Sequence, residues 1–216
     1  MRNKLYVLFD LDGTITDPFE GITKAVVYAL SKFDIVVTDR NELVSFIGPP
    51  LRDSFMAYAG LTQQQADEAI RAYRQYYSTK GLYDCYVYKG IPELFNELWL
   101  AGKKVVLATS KPECFAFDLM EHFNLSKYFC KMYGASLDYS RANKIDVIQA
   151  AIYDYKIDVS QAVMVGDRKY DILGASAFGM DSIGVSYGYG SVEELKSAGA
   201  NVVCESIEQL HKILLN

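Results

Sequence analysis

The stretch Lys4-Leu5-Tyr6-Val7-Leu8-Phe9-Asp10-Leu11-Asp12-Gly13-Thr14 carries five consecutive apolar residues that stop abruptly at a carboxylate. A short, unbroken apolar run of this kind reads as a strand buried on both faces, and the Asp-x-Asp-Gly-Thr that follows reads as a tight polar turn. Comparable runs recur at 104–108, near 131–135, at 161–165 and at 181–186, and helical patterns separate them at 91–101, 113–123, 142–155 and 169–178. Regular alternation of buried strand and helix predicts an α/β fold, a Rossmann-like, doubly wound parallel sheet covered on both faces.

The segment from about 20 to 80 breaks the alternation. It offers four helix-like stretches, near 20–33, 39–46, 51–59 and 62–79, and no convincing strand. This predicts an all-helical cap domain, residues 17–85, inserted into a core made of residues 1–16 and 86–216.

Composition narrows the function. Half of the 216 residues are apolar and the net charge is −5, with no run of Lys or Arg. A nucleic-acid polymer is therefore not the expected partner, whereas a small anion held by a few local cations is. Five apolar residues before Asp10 are too few for a signal peptide, and no later stretch approaches a membrane span. The expectation is a soluble, cytoplasmic monomer or homodimer. Cys85, Cys114, Cys130 and Cys204 show no paired or zinc-like spacing and are expected to be reduced and mostly buried.

In an open α/β sheet, ligands bind beyond the carboxyl ends of the strands, so the residues that terminate the strands carry the chemistry. The first strand ends in Asp10-Leu11-Asp12-Gly13-Thr14, the one at 104–108 in Thr109-Ser110-Lys111, and the one at 161–165 in Gly166-Asp167-Arg168-Lys169-Tyr170-Asp171. Lys144 falls in the first turn of the helix after 131–135. Each has an ordinary explanation when taken alone: Asp closes turns, Thr109 or Asp167 can cap a helix, and Lys144 can be solvated. Together, four separate segments deliver carboxylates, a hydroxyl and an ammonium to one rim.

The motifs FDLDGT, ATSK, Lys144 and GDRKYD resemble those of the haloacid dehalogenase superfamily of phosphotransferases, in order and over essentially the whole chain. The helical insertion after the first motif resembles the cap of the phosphoglycolate phosphatase and phosphoglucomutase branch. Within that branch IGPPLRDSF, LATSKP, AVMVGDRKYDILGA and SIGVSYGYGS are most similar to 5′-nucleotidase-like proteins.

The resemblance implies a Mg²⁺-dependent phosphatase whose substrate is a small phosphorylated metabolite, with a 5′-nucleotide ahead of phosphoglycolate or a broad set of small phosphomonoesters. It implies Asp10 as the nucleophile that becomes phosphorylated and Asp12 as the general acid and base. The metal ligands would be the carboxylates of Asp10 and Asp167 and the backbone carbonyl of Asp12. Asp171, one helical turn past Asp167, would bind the ion directly or through water. Thr109 and Lys144 would hold the phosphoryl oxygens, helped by free amides in the Leu11–Gly13 turn. Ser110 and Lys111 lie near enough to contact substrate. The two histidines, His122 and His211, lie at no strand end, which favours magnesium over zinc.

In the cap, Arg52 is the candidate contact for a substrate anion and Phe55 for a base or ring, while Asp17, Phe19 and Glu20 suit a hinge or entrance. A dehalogenase would not need Asp12 together with Asp167, and a non-catalytic protein would have lost one of the charged residues. A sugar phosphomutase would keep them all. No Gly-x-x-x-x-Gly-Lys-Ser/Thr loop supports an ATP-using enzyme, and the late Gly184, Gly188 and Gly190 suit a loop near the site rather than a dinucleotide cradle.

Overall fold

The computed structural model describes residues 1–138 and 140–216. The chain divides into two compact units, Met1–Thr16 with Val87–Asn216, and Asp17–Tyr86.

The first unit is a six-stranded sheet. Its strands are β1 (Tyr6–Phe9), β4 (Lys104–Pro112), β5 (Phe129–Ala135), β6 (Ala162–Gly166), β7 (Asp181–Val185) and β8 (Val202–Cys204), and β2 and β3 are the short pieces Thr16–Asp17 and Tyr86–Val87 that pair with each other. The order across the main sheet is β5-β4-β1-β6-β7-β8, and every recorded pairing is parallel. β1 is central, with Val7 level with Val105 of β4 on one side and Val163 of β6 on the other. The chain thus turns from one half of the sheet to the other around β1, which places a crevice at its carboxyl end.

Val7, Leu8 and Phe9 are fully buried, as a strand covered on both faces requires. One layer is centred on Phe95, which meets Phe9 at 5.1 Å and Phe129 at 5.3 Å, both edge to face. On the other, Leu8, Val106 and Met164 pack with Val147, Ile148 and Ala151.

Five helices run between or after these strands: α4 (Ile91–Leu100), α5 (Glu113–His122), α6 (Lys144–Tyr155), α7 (Lys169–Ser176) and α8 (Val192–Ser197), with α9 (Ile207–Leu215) at the end. β8, α8 and α9 lie beyond the last strand the periodicity marked. Their runs of three, six and nine residues are too short to carry a clear pattern.

Two expectations are corrected. β4 does not stop at 108 but continues to Pro112, so Thr109, Ser110 and Lys111 are strand residues and Thr109 caps no helix. Between Ala108 and Pro112 the pairing with β5 is irregular, as Ala108 faces Tyr133 while Pro112 faces Ala135. The cysteines are not mostly buried: Cys204 is, Cys85 is half-buried, and Cys114 and Cys130 are exposed. Cys130 sits on β5, which among the described residues has no strand neighbour on its outer side, and Cys114 lies in the first turn of α5.

The second unit is helical: α1 (Phe19–Leu30), α2 (Leu51–Ala59) and α3 (Gln63–Tyr76), joined by short 3₁₀ turns at Ser31–Phe33 and Arg40–Phe46, with a π-helical turn at Tyr77–Gly81 after α3. α3 starts with a reciprocal cap in which the Thr62 hydroxyl and the Gln65 side chain each accept a backbone N–H of the other residue. Phe55 is fully buried and packs edge to face on Phe46 at 5.0 Å, so it belongs to this unit's core and is not available to a substrate ring. Asp17 accepts the Phe19 N–H at 3.0 Å and the Tyr86 hydroxyl at 2.7 Å, while Glu20 pairs with Arg40 at 3.0 Å and Lys24 at 2.9 Å.

Because Phe95 bridges α4 to β1 and β5, Phe95→Ala should destabilise the protein by about 3–5 kcal/mol, the usual loss for a buried phenylalanine. Urea unfolding of the variant against wild type measures this, and a loss under about 1 kcal/mol would refute the central role of this ring.

Candidate active site

The carboxyl ends of β1 and β6 and the first turns of α6 and α7 bring four charged side chains together. Asp10, Asp167 and Asp171 each present an oxygen within 4.8 Å of the others, and all three are buried. Lys144 lies among them, its Nζ 2.7 Å from Asp10 Oδ1, 2.8 Å from Asp171 Oδ1 and donating to the Ala108 carbonyl at 2.9 Å.

Local structure explains the position of Lys144. The Asn143 side chain accepts the Asp146 N–H at 3.0 Å, and Asp146 accepts the Asn143 N–H at 3.3 Å. This reciprocal cap makes Lys144 the first residue of α6. Gly174 of α7 lies where a Cβ would stand 2.9 Å from Lys144 Cγ, so its missing side chain gives the lysine stem room to reach inward.

Electrostatics decide what the cluster can accept. With every group ionised, three carboxylates and one ammonium would sum to a formal charge of −2 in a region nearly closed to water. Burial, followed by the charges of Asp171 and Asp10, raises the pKa of Asp167 well above the carboxylate range. Burial and the Asp10 charge lift Asp171 to about 6 against the opposing pull of Lys144. Burial alone would favour loss of the Lys144 proton, but Asp10 and Asp171 outweigh it and the pKa moves up. Although Lys144 is at ion-pair distance from both, Asp10 Oδ1 and Asp171 Oδ1 receive no well-directed hydrogen bond. Two buried anionic oxygens without a directed donor, in a hard oxygen set with a −2 excess, fit a divalent cation such as Mg²⁺.

Asp12 is not part of that set. Its two oxygens accept from Lys111 Nζ at 3.0 and 2.7 Å, and the Lys111 side chain is 4% exposed. Lys111, which the sequence leaves undecided between the site and a helix start, is thus buried against the Asp-x-Asp turn. The Thr109 hydroxyl, itself buried, accepts the Lys111 N–H at 3.2 Å, and Ser110 is half-buried beside it.

The turn after β1 folds on its own backbone bonds. Gly13 N–H donates to the Thr16 carbonyl at 2.7 Å, and the N–H groups of Thr14, Ile15 and Thr16 all donate to Leu11. Among the described residues these bonds leave the Leu11 and Asp12 amides uncommitted, but not that of Gly13. The expectation that Gly13 offers a free amide is therefore corrected. Arg52 lies in the helical unit, half-buried, with Nε and Nη2 both 2.8 Å from Asp67 Oδ1. Neither histidine joins the cluster: His122 ends α5, and His211 of α9 pairs with Glu97 at 2.6 Å.

Sequence reading missed the residues that hold Asp167. Its Oδ2 accepts the Tyr189 N–H at 2.8 Å and its Oδ1 the Thr14 hydroxyl at 3.3 Å, while the Tyr187 hydroxyl donates to the Thr14 carbonyl at 2.9 Å. The only signal for them was the glycine spacing around 188 and 190.

Comparison with known proteins identifies the family and its relatives. The family model for haloacid dehalogenase-like hydrolases matches residues 7–185. A 5′-nucleotidase of Pseudomonas aeruginosa is 40% identical over 208 residues, 96% of this chain and 94% of that protein. The tyrosine-protein kinase PtkA of Mycobacterium tuberculosis is 36% identical over 96% of this chain and 72% of its own length. The crystal structure of a predicted phosphatase from Clostridium acetobutylicum superposes with a TM-score of 0.95 at 48% identity, covering 97% of both chains. With an aspartate cluster at the end of its central strand and a family match spanning most of its length, the chain belongs to the haloacid dehalogenase-like hydrolases, as one of their phosphoric monoester hydrolases.

Proposed function

We propose that this enzyme hydrolyses nucleoside 5′-monophosphates through a phosphoryl group carried on Asp10, with Mg²⁺ held by the carboxylates of Asp10, Asp167 and Asp171 and the Asp12 carbonyl. The observation that carries the reading is the buried trio of carboxylates around Lys144 with its −2 excess. The 40% identity to a 5′-nucleotidase supports the choice of substrate, with phosphoglycolate or a range of small phosphomonoesters as the alternative. When bound, the cation neutralises charge between the Asp10 carboxylate and the phosphate dianion.

An Asp10 oxygen forms a bond to phosphorus as the bond to the ester oxygen breaks, and Asp12, which takes a proton from solvent as Lys111 turns to the substrate phosphate, gives that proton to the departing alkoxide. Water then attacks phosphorus, Asp12 takes its proton, and phosphate leaves with the Asp10 carboxylate restored. Before substrate arrives, both Asp12 oxygens accept bonds from Lys111. An entering phosphate gives Lys111 a competing anionic partner and frees an Asp12 oxygen to face the leaving group. Lys144, Thr109, Ser110 and the Leu11 and Asp12 amides hold the transferring oxygens. Arg52 belongs to the same proposal as a contact for a substrate anion, exchanged for its pairing with Asp67.

The relation to PtkA supports a second reading, in which a tyrosine hydroxyl replaces water as the acceptor. Release of inorganic phosphate from nucleotides, phosphoglycolate and sugar phosphates, measured beside phosphotyrosine formation on added protein, separates the two. Phosphotyrosine without free phosphate would overturn the hydrolase reading.

Asp10→Asn should lower kcat/KM by about 10³-fold or more while far-ultraviolet circular dichroism stays native, since it removes the nucleophile. Near-normal turnover would sink the mechanism. Lys144→Ala should cost more than Thr109→Ala at saturating Mg²⁺, because a charged contact to a buried dianion exceeds a hydroxyl bond worth about 1–3 kcal/mol. The opposite order would remove Lys144 from the phosphate site.

Asp167 and Asp171 have folded pKa values above their unfolded ones, so their contribution to stability is complete below about pH 4 and declines as pH rises, for Asp171 until pH passes its folded value of about 6. A cation that binds the ionised cluster reverses this loss. The rise in Tm caused by Mg²⁺ should therefore be small at pH 4.5 and grow toward pH 7. A Mg²⁺ effect independent of pH over that range, read by calorimetry, would argue against binding at these carboxylates.

A further inference from the structure

Asp167 is fully buried, yet the recorded ion pairs of Lys144 go to Asp10 and Asp171. What holds Asp167 is the loop after β7. The Tyr189 N–H binds one carboxylate oxygen at 2.8 Å and the Thr14 hydroxyl the other at 3.3 Å. Thr14 is held in turn, because the Tyr187 hydroxyl donates to its carbonyl at 2.9 Å and the Tyr187 ring rests edge to face on Tyr88 at 5.2 Å.

The loop runs against the aspartate as only glycine allows. A Cβ on residue 188 would lie 2.2 Å from the Gly13 carbonyl oxygen and 2.5 Å from Asp167 Cβ, and one on residue 190 would lie 1.9 Å from the Asp167 carbonyl oxygen. The backbone of 188–190 therefore forms a wall against which Asp167 cannot rotate.

We propose that Tyr187, Gly188, Tyr189 and Thr14 are positioning residues that fix Asp167 as a ligand giving one oxygen to a small divalent cation, and so favour Mg²⁺ over Ca²⁺. This rests on the reading of Asp167 as a cation ligand. With one hydrogen bond already on each oxygen and no freedom to turn, Asp167 is poorly placed to chelate through both. Ca²⁺ takes six to eight oxygens at about 2.3–2.6 Å and often uses both atoms of a carboxylate, whereas Mg²⁺ takes six at about 2.0–2.1 Å in rigid geometry. Groups that orient a metal ligand typically change metal affinity by about 10–100-fold when removed.

The test is calorimetric titration of the full-length protein with MgCl₂ and with CaCl₂, for wild type, Tyr187→Phe and Gly188→Ala. Tyr187→Phe keeps the ring and removes one hydroxyl; Gly188→Ala pushes the wall into Asp167. Both variants should bind Mg²⁺ about tenfold more weakly or worse, with Ca²⁺ affected less, so that the preference for Mg²⁺ narrows. Unchanged Mg²⁺ affinity and preference in variants that only melt earlier would make the loop a structural support and overturn the proposal. Equal losses for both ions would overturn the selectivity while keeping the positioning. If wild type binds neither ion, the cation reading itself fails and this proposal with it. Should Gly188→Ala not fold, Tyr187→Phe decides.

Discussion

Burying three carboxylates around a single ammonium is the constraint on which the rest of this structure depends. In water these groups would separate and titrate normally, but here they are forced together at the end of β1, where little solvent shares the charge. The core answers with its stiffest parts. Asp10 ends a strand paired on both sides, Asp167 follows β6, and Lys144 is set at the start of α6 by the Asn143 cap. Asp171 is tied by the Arg168 N–H at 3.1 Å. Repulsion that would open a softer site is held in a frame that resists relaxing, and on the proposed function a bound cation offsets that excess before a phosphate dianion can enter.

A second ion pair, Lys111 with Asp12, stands beside the first and is electrically neutral. The separation has a chemical logic. On the proposed mechanism, the nucleophile has to be kept ionised and aimed, whereas the group that gives and takes protons has to change partners. Lys144 is held by the Ala108 carbonyl and two ion pairs, while Lys111 holds an aspartate that is partly open to solvent.

Much of this was legible in the residues. The buried runs at 4–10 and 161–165 reveal their strands because a parallel strand needs apolar side chains on both faces, and the polar residues that end them then fall on one rim. What escaped depends on partners distant in sequence. The strand character of Thr109–Lys111 arises from irregular pairing with β5, and the exposure of Cys130 from the outer position of that strand. Phe55 reads equally well as a ligand contact or a core ring until Phe46 is seen against it. Tyr187 and Tyr189 lie more than 170 residues from Thr14, and nothing local marks them as its neighbours.

The paired pieces β2 and β3 bear on how the chain tolerates its long excursion from Asp17 to Tyr86. They pair directly, and the Tyr86 hydroxyl bonds Asp17 at 2.7 Å. Loop-closure entropy grows only slowly with the length of chain between two joined points. Once these two points are joined, the helical segment between them can lengthen, shorten or be rebuilt with little effect on the cost of closing the sheet. The same stem can therefore carry very different helical segments while the pairing register of β1, β4 and β6 stays unchanged.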